Sequence, residues 1–255
     1  MTCPSWLTSR PIAHRGLHGG VTGIVENSLS SVRAAVDAGY AVEIDVRAAR
    51  DSEPIVFHDA TLHRLTGQSG AVGDFAADAF ANLMLSGTGE PIPRLAEILQ
   101  VVAGRAPLFI EVKTGTADRA ELCRRILALL RSYEGDVAVM SFDPEALVAF
   151  RTEWPALPRG IVAQSSRHEE ESGLAARFSR SWMLHLGRSR PHFIAYRCDD
   201  LPALAPLGYR SALGMPLLTW TVRSEDQWRR AARWADQIIF EGFRPKQDRP
   251  QRDMT

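Results

Sequence analysis

The sequence contains little cysteine and no excess of charge of either sign. Its three cysteines, Cys3, Cys123 and Cys198, are odd in number and far apart, a pattern that favours reduced thiols over a disulfide framework. Thirty basic residues balance thirty acidic residues, so no global field would draw the chain to nucleic acid or to an anionic membrane. We therefore expect no nucleic-acid partner and a reducing, cytoplasmic location.

Long apolar segments are also missing. No apolar run approaches the roughly 20 residues that cross a bilayer, so we expect no integral membrane segment. The opening residues MTCPSWLTSRP lack the basic stretch followed by an apolar one that is typical of an export signal. The chain has 45% hydrophobic and 24% charged residues among 255. This composition is typical of a globular protein with one large core or two small domains.

Short apolar runs alternate with helical patterns, which predicts parallel strands joined by right-handed crossovers. The predicted strands are Pro11–His14, Ala41–Val46, Pro54–His58, Leu108–Lys113, Val137–Ser141, Gly160–Ala163, His192–Tyr196, Pro216–Thr221 and Gln237–Glu241. The predicted helices are Ser28–Ala38, Arg94–Ala103, Ala117–Tyr133, Pro144–Thr152, Glu170–Leu186, Asp199–Leu213 and Ser224–Trp234. About eight such units in roughly 250 residues favour a TIM (β/α)8 barrel. The competing open doubly wound sheet is weaker, because no glycine-rich fingerprint follows the first strand.

Residues 59–93 break this rhythm, and we interpret them as a small insertion after the second strand and its short partner. We expect residues 1–247 to form a single barrel catalytic domain and residues 248–255 to form a disordered tail. Helix starts are predicted from capping residues, which accept hydrogen bonds from the first turn. These residues are Asn27, Asp143 followed by Pro144, and Ser224.

The segment Val42–Val46 carries two carboxylates on an otherwise apolar strand. Residues two apart on a strand face the same way, so Glu43 and Asp45 project side by side. Two such charges about 4 Å apart repel by about 4 kcal/mol at an effective dielectric near 20. The segment therefore requires a nearby cation or one protonated carboxyl group.

The ends of four predicted strands donate charged or imidazole side chains to the rim where barrels of this kind hold their reactive groups. Glu111 joins Glu43 and Asp45 in an all-oxygen set of three carboxylates. Such a set suits Mg²⁺, Ca²⁺ or Mn²⁺ better than zinc. His14 and His58 titrate near neutral pH and are candidates for a general acid/base pair.

Two cations complete this set of candidate residues. Arg15 offers a planar fork and Lys113 a point charge, and both are suited to a phosphate group. A metal, two imidazoles and two cations around one pocket predict hydrolysis of a phosphoester. For a diester, one imidazole would deprotonate the nucleophile while the other protonates the leaving oxygen. We expect Glu26 to bond backbone near the start of the first helix rather than to bind the metal.

These segments resemble the glycerophosphodiester phosphodiesterase family over nearly the whole chain. The matching segments are Ile12–Gly16, Glu26–Ser28, Glu43–Asp45, Val56–Asp59 followed by Leu62–Gly67, Glu111–Lys113, Ser141–Asp143 and Trp220–Val222. The resemblance implies a TIM barrel, one divalent cation (Mg or Ca) and a small-molecule glycerophosphodiester substrate. It also implies roles for seven residues: metal binding by Glu43, Asp45 and Glu111, acid/base catalysis by His14 and His58, and phosphate contact by Arg15 and Lys113.

In the route proposed for that family, the glycerol 2-hydroxyl attacks phosphorus, the alcohol leaves and a cyclic phosphate is then hydrolysed. The chain departs from the family pattern at two positions. The proline that often precedes Glu26 is absent, and Phe240-Glu241 stands where many members have Thr-Asp. We expect both positions in rim loops, where they bear on headgroup preference more than on the reaction.

Two alternatives remain open. The same site could act on lysophospholipids as a lysophospholipase D, and Leu83–Leu85 in the insertion are the hint of an apolar groove. A non-catalytic barrel could instead bind phosphodiesters as a sensor, although a binder would not need both imidazoles. Trp220, at a strand end, is a candidate wall of the glycerol pocket, with a core position as the alternative.

Overall fold

Nine strands alternate with helices along the part of the chain that the structure describes. The computed structural model describes residues 3–19, 23–115, 119–165, 183 and 186–247. The strands are β1 (Ile12–Ala13), β2 (Ala41–Ala48), β3 (Pro54–Val56), β4 (Leu108–Val112), β5 (Val137–Ser141), β6 (Arg159–Ala163), β7 (Phe193–Arg197), β8 (Leu217–Val222) and β9 (Gln237–Phe240). The α-helices are α1 (Leu29–Asp37), α2 (His63–Thr66), α3 (Leu95–Val102), α4 (Arg119–Leu130), α5 (Pro144–Glu153), α6 (Leu186–Ser189), α7 (Leu204–Leu213) and α8 (Glu225–Ala231).

Each of the nine predicted strands is confirmed to within about two residues at either end. The predicted helix Glu170–Leu186 lies outside the described residues apart from Met183 and Leu186, and so does the predicted tail 248–255. Among the helices of the described residues, none is long and apolar enough to cross a membrane.

The strands form one sheet in the order β1-β9-β8-β7-β6-β5-β4-β2-β3, and β1 also pairs with β2. Eight parallel strands with flanking helices therefore close into a barrel, and the predicted TIM barrel is confirmed. β3 stays outside the ring as an antiparallel partner of β2. By their contacts, residues 13–139 form one compact unit, and residues 1–12 with 140–255 form another.

In the unit of residues 13–139, α1 begins at a reciprocal serine cap. Ser28 Oγ accepts a hydrogen bond from the Ser31 N–H at 3.0 Å, and Ser31 Oγ accepts one from the Ser28 N–H at 3.1 Å. These bonds satisfy N–H groups that have no partner within the helix. The prediction of Asn27 as the cap is wrong by one residue, because the Asn27 side chain bonds Asp45 on β2 instead.

The insertion, residues 59–93, builds an apolar core together with the neighbouring strand segment. Leu62 and Leu85 are at most 1% exposed within it, and Leu83 packs against it. Met84 is 45% exposed. Leu83, Met84 and Leu85 therefore do not share one exposed apolar surface. The buried members of this core are Ala49, Ile55, Phe57, Leu62, Val72, Ala77, Phe80, Leu85 and Ile92.

In the unit of residues 1–12 and 140–255, two predicted helix starts are confirmed. Asp143 Oδ1 accepts from the Glu145 N–H at 2.9 Å, with Pro144 at the first helical position. Ser224 Oγ accepts from the Gln227 N–H at 3.2 Å. Both caps satisfy first-turn donors, so α5 and α8 start where the sequence predicts.

The helix predicted from Asp199 is shorter than expected, because α7 starts only at Leu204. Residues Cys198–Asp200 form a single 3₁₀ turn. Pro202 follows closely and disfavours helical backbone at Leu201. The chain therefore re-enters a helix only beyond the proline.

Gly160 lies where β6 closely approaches β7. It pairs with Phe193 across β6 and β7. A Cβ atom at position 160 would clash with the Phe193 ring. Because Phe193 is fully buried, the ring has no free space to move into.

We expect Gly160→Ala to lower the free energy of unfolding by about 1–3 kcal/mol through overpacking. Gly208→Ala is the matched control, since Gly208 lies within α7 and an added Cβ there meets nothing within 4 Å. Alanine should stabilise that helix by about 0.5–1 kcal/mol. Urea denaturation of both variants measures the difference, and equal midpoints would contradict the packing argument.

Candidate active site

Three carboxylates meet on two neighbouring strands. Glu43 and Asp45 lie on β2, and the parallel register pairs Asp45 directly with Glu111 on β4. One carboxylate oxygen from each residue lies within 4.8 Å of the others. The exposed fractions are 0% for Glu43 and Asp45 and 6% for Glu111. The structure thus brings together the three residues that the sequence predicts as metal ligands.

Lys113 forms ion pairs with two of these carboxylates. It follows β4 directly, and its N–H donates to the Val46 carbonyl at 2.9 Å, which continues the pairing of the two strands. Its ammonium Nζ lies 3.1 Å from Asp45 Oδ1 and forms a second ion pair with Glu111. These carboxylates together raise the pKa of Lys113 despite its burial, so the ammonium stays charged.

Arg15 contacts the cluster through its backbone and its side chain. The Arg15 N–H donates to Glu43 Oε2 at 2.9 Å, and the guanidinium Nε lies 3.2 Å from Asp45 Oδ2. Arg15 has φ +55° and Gly16 has φ +77°, so the chain turns sharply after β1. A Cβ at Gly16 would lie 2.5 Å from Ser31 Oγ, which explains why only glycine fits this turn.

Asn27 holds Asp45 at two points. Asn27 Nδ2 donates to Asp45 Oδ2 at 3.0 Å, and Asn27 Oδ1 accepts from the Asp45 N–H at 3.1 Å. Asn27 has φ +56°, a conformation that asparagine tolerates better than most residues. Sequence reasoning missed this role, although Asn27 lies between Glu26 and Ser28 in a segment that the resemblance singles out.

The pKa values of the three carboxyl groups in the cluster are shifted in different directions. Burial, followed by the neighbouring charges of Asp45 and Glu111, raises the pKa of Glu43 well above its usual range. Burial also raises the pKa of Glu111, although Lys113 opposes the shift. Burial acts in the same direction on Asp45, but Lys113 and Arg15 outweigh it and lower the pKa of that carboxyl group. Asp45 is thus the carboxylate that remains ionised most firmly.

The cluster fits a hard divalent cation. Among the described residues, no donor bonds Glu43 Oε1, although this oxygen is buried. An unsatisfied buried acceptor costs about 1–3 kcal/mol, so a bound ion would supply the missing partner. An all-carboxylate oxygen set is the donor chemistry that Mg²⁺, Ca²⁺ and Mn²⁺ prefer.

Two histidines flank the carboxylates in different surroundings. His14 Nε2 lies 4.0 Å from Glu43 Oε2, and His14 is 9% exposed. The His58 side chain is 32% exposed, and its Nδ1 lies 2.7 Å from Asp59 Oδ1.

The bonds from Arg64 lower the pKa of Asp59 to about 2. An ionised carboxylate only accepts, so His58 Nδ1 donates and Nε2 keeps its lone pair. Burial lowers the pKa of His58, which favours this neutral form.

Glu26 was expected to bond backbone, but it binds two guanidinium groups. Arg15 Nη1 donates to Glu26 Oε1 at 2.7 Å. Arg64 Nη1 and Nη2 donate to the two Glu26 oxygens at 3.0 and 2.7 Å. The same Arg64 side chain also bonds Asp59. Sequence reasoning assigned no role to Asp59 or Arg64, although both lie in segments that the resemblance singles out.

Trp220 lies on β8, in the unit of residues 1–12 and 140–255. Its indole N–H donates to the Ala195 carbonyl at 3.0 Å, and its ring meets Phe142 edge to face with centroids 5.5 Å apart. Phe142 is 44% exposed. The role of Trp220 as a pocket wall stays a prediction.

Comparison with known proteins decides the family. The sequence model of the glycerophosphoryl diester phosphodiesterase family matches residues 14–241. The chain belongs to this family. A glycerophosphodiester phosphodiesterase of Caldanaerobacter subterraneus subsp. tengcongensis is 26% identical over 239 residues, which cover 89% of this chain and 92% of that protein.

Solved structures share the barrel. A phosphodiesterase of Oleispira antarctica, solved with the product sn-glycerol-3-phosphate, is 22% identical and superposes with a TM-score of 0.76 over 90% of this chain and 91% of that one. A glycerophosphodiester phosphodiesterase of Thermotoga maritima is 23% identical, with a TM-score of 0.69 over 90% and 92%. At these identities, the likeness bears on the fold alone.

One departure from the family pattern has a local explanation. Phe240 ends β9 and is 1% exposed, so the expectation that it lies in a rim loop is wrong. Its ring packs edge to face against Phe243, with centroids 5.7 Å apart. Glu241 follows the strand and accepts from Arg223 Nε at 2.9 Å. Phe240 therefore belongs to the barrel core.

We expect Glu43→Gln to separate metal binding from folding. Without metal, the variant should be at least as stable as the wild type, because the amide removes a carboxyl group that burial and two neighbours disfavour. With Mg²⁺ or Ca²⁺ at 100 times the dissociation constant, the wild type should gain about 2.7 kcal/mol and the variant much less. Thermal unfolding with EDTA and with each ion measures both effects.

Asp78→Asn is the control for that experiment. It also removes one negative charge, but from a side chain that is 98% exposed. It should keep the wild-type response to the ion. If neither ion raised the melting temperature of the wild type, this result would count against a metal at the carboxylates.

Proposed function

We propose that this protein is a metal-dependent phosphodiesterase that hydrolyses glycerophosphodiesters to an alcohol and glycerol 3-phosphate. The observation that carries the proposal is the convergence of three buried carboxylates with two cations, in a chain of this family. The Oleispira antarctica phosphodiesterase was solved with sn-glycerol-3-phosphate, and this supports the product class. Membership of the family supports one catalytic domain over residues 1–247. The family model matches residues 14–241, which include most of both compact units.

Glu43, Asp45 and Glu111 would hold the divalent ion, Mg²⁺ or Ca²⁺. When bound, such an ion polarises a phosphoryl oxygen and neutralises the charge that develops on it. The charges of the site suit a diester. Three carboxylates and two cations leave one formal negative charge, and a divalent ion would convert it to one positive charge. The single negative charge of a phosphodiester would balance that positive charge.

Arg15 and Lys113 are the proposed contacts of the phosphate. Each already lies against the carboxylates, so the phosphate would meet cations whose positions are fixed before it binds. Fixed cations lose little conformational freedom when the anion arrives, which favours the charge-bearing transition state. Trp220 is proposed as an apolar wall for the glycerol carbons.

His58 and His14 are the proposed acid/base pair. Because Asp59 holds His58 Nδ1, the free Nε2 can accept a proton from the attacking hydroxyl group. His14 would then protonate the leaving alcohol oxygen. Its Nε2 lies 4.0 Å from Glu43 Oε2, so the imidazole would stand beside the metal site. Water would open the resulting cyclic phosphate with the two proton transfers reversed, which gives glycerol 3-phosphate and restores both histidines.

We also propose a cytoplasmic location. Cys3, Cys123 and Cys198 form no disulfide, which supports a reducing compartment.

A product assay tests the function directly. Glycerophosphocholine, glycerophosphoethanolamine, glycerophosphoglycerol and lysophosphatidylcholine are each incubated with the protein, with and without EDTA. We expect glycerol 3-phosphate and free alcohol from the first three, and no products in EDTA. Preferential cleavage of the lysophospholipid would favour the lysophospholipase D alternative. Binding without any products would favour the non-catalytic barrel.

His58→Ala should lower kcat by about 10²–10⁴-fold, because the variant loses its proton acceptor. His63→Ala is the matched control, since His63 is an exposed histidine only five residues along the chain. We expect the control to retain near-normal turnover. Steady-state kinetics on the best diester measure both variants, and near-normal turnover by His58→Ala would remove His58 from the mechanism.

A further inference from the structure

Arg64 joins two parts of the candidate site that are remote in sequence. Its Nε and Nη2 donate to the two oxygens of Asp59 at 2.5 and 3.0 Å. Its Nη1 and Nη2 donate to the two oxygens of Glu26 at 3.0 and 2.7 Å. One guanidinium thus binds two carboxylates, each through two nitrogens.

Each of these carboxylates bonds a residue of the proposed machinery. Asp59 accepts from His58, the proposed base, and Glu26 accepts from Arg15, a proposed phosphate contact. We propose that Arg64 is a positioning residue that fixes His58 and Arg15 relative to each other through Asp59 and Glu26. The inference rests on the proposed function, because it assigns roles within that site.

The insertion holds Arg64 in place. α2 carries it, and the residue before α2, Leu62, is buried in the core of the insertion. The Thr66 hydroxyl donates to the Leu62 carbonyl at 2.8 Å, and Gly67 ends the turn with φ +72°. The Leu65 carbonyl accepts from the Ser86 N–H at 2.7 Å, which ties the turn to the far end of the insertion.

The guanidinium is suited to this task, whereas an ammonium is not. Arginine presents five N–H donors in a planar fork and can bind two carboxylates at once in fixed directions. Lysine would supply the charge without those directions. The bonds from Arg64 also lower the pKa of Asp59 to about 2, so Asp59 stays an acceptor for His58 over the working pH range.

An ordinary surface ion pair is the competing explanation. The Arg64 side chain is 47% exposed, and exposed pairs contribute little to stability. However, Glu26 and Asp59 are only 11% and 22% exposed, and all three groups form one continuous network. A surface pair predicts no effect on catalysis, whereas a positioning residue predicts a kinetic effect with little change in stability.

Arg64→Gln and Arg64→Lys test the proposal against Arg105→Gln, which breaks an exposed ion pair with Asp37 elsewhere in the same unit. We expect Arg64→Gln to lower kcat/KM by about 10–100-fold, the range found when hydrogen-bond partners that orient metal-binding side chains are removed. The loss should appear in kcat through His58 and in KM through Arg15. Arg64→Lys should recover only part of it, and Arg105→Gln should match the wild type. An Arg64→Gln variant within twofold of wild type overturns the proposal.

A double-mutant cycle tests the coupling itself. Glu26→Gln, Asp59→Asn and the pair are measured in the wild type and again in the Arg64→Gln background. If Arg64 transmits the coupling, the two effects on kcat/KM are non-additive in the wild type and additive in the Arg64→Gln background. Additive effects in both backgrounds overturn the proposal.

A spectroscopic readout keeps this inference separate from the proposed function. The imidazole ¹⁵N shifts of His58, assigned with His58→Gln, report its tautomer without any substrate. We expect Arg64→Gln to change them and Arg105→Gln to leave them unchanged. If the wild type hydrolyses no diester, the proposed function fails, and a changed His58 spectrum still supports positioning by Arg64. Unchanged His58 shifts in Arg64→Gln overturn it.

Discussion

The burial of three carboxylates inside an apolar barrel is the constraint on which the site depends. Like charges in a poorly solvated interior repel strongly, so the surrounding chain must compensate for them. Lys113 and Arg15 supply positive charge, and Asn27 bonds both the side chain and the backbone of Asp45. The compensation is incomplete, because Glu43 Oε1 has no hydrogen-bond partner among the described residues. A barrel built for stability alone would carry apolar residues here.

The local sequence pattern was sufficient to predict the barrel and the site residues that lie on its strands. The period of two along β2 puts Glu43 and Asp45 on one face, and the parallel alternation aligns β2 with β4. Asn27 was misassigned because an asparagine before a helix satisfies the rules for a cap equally well. The bond that decides its role spans 18 residues of sequence and is invisible locally.

The contacts of Glu26 also could not be predicted from local sequence. Its partner Arg64 lies 38 residues away, beyond strands β2 and β3, and only the folded insertion brings the two together. Arg64 lies in a segment that the resemblance singles out, but composition and spacing alone do not distinguish this arginine from other surface cations. Phe240 was misplaced because the comparison with the family pattern put it in a rim loop, although the predicted strand Gln237–Glu241 already included it.

The insertion does not have a core of its own, because Ala49, Ile55 and Phe57 of the adjoining strand segment complete its buried cluster. A segment that shares apolar contacts with the rest of a protein opens only when those contacts break. Because Leu62, directly before α2, lies in this cluster, an opening that pulled it out would also displace Arg64. The retention of Arg64 beside Glu26 and Asp59 is thus coupled to the apolar packing of the insertion on β3.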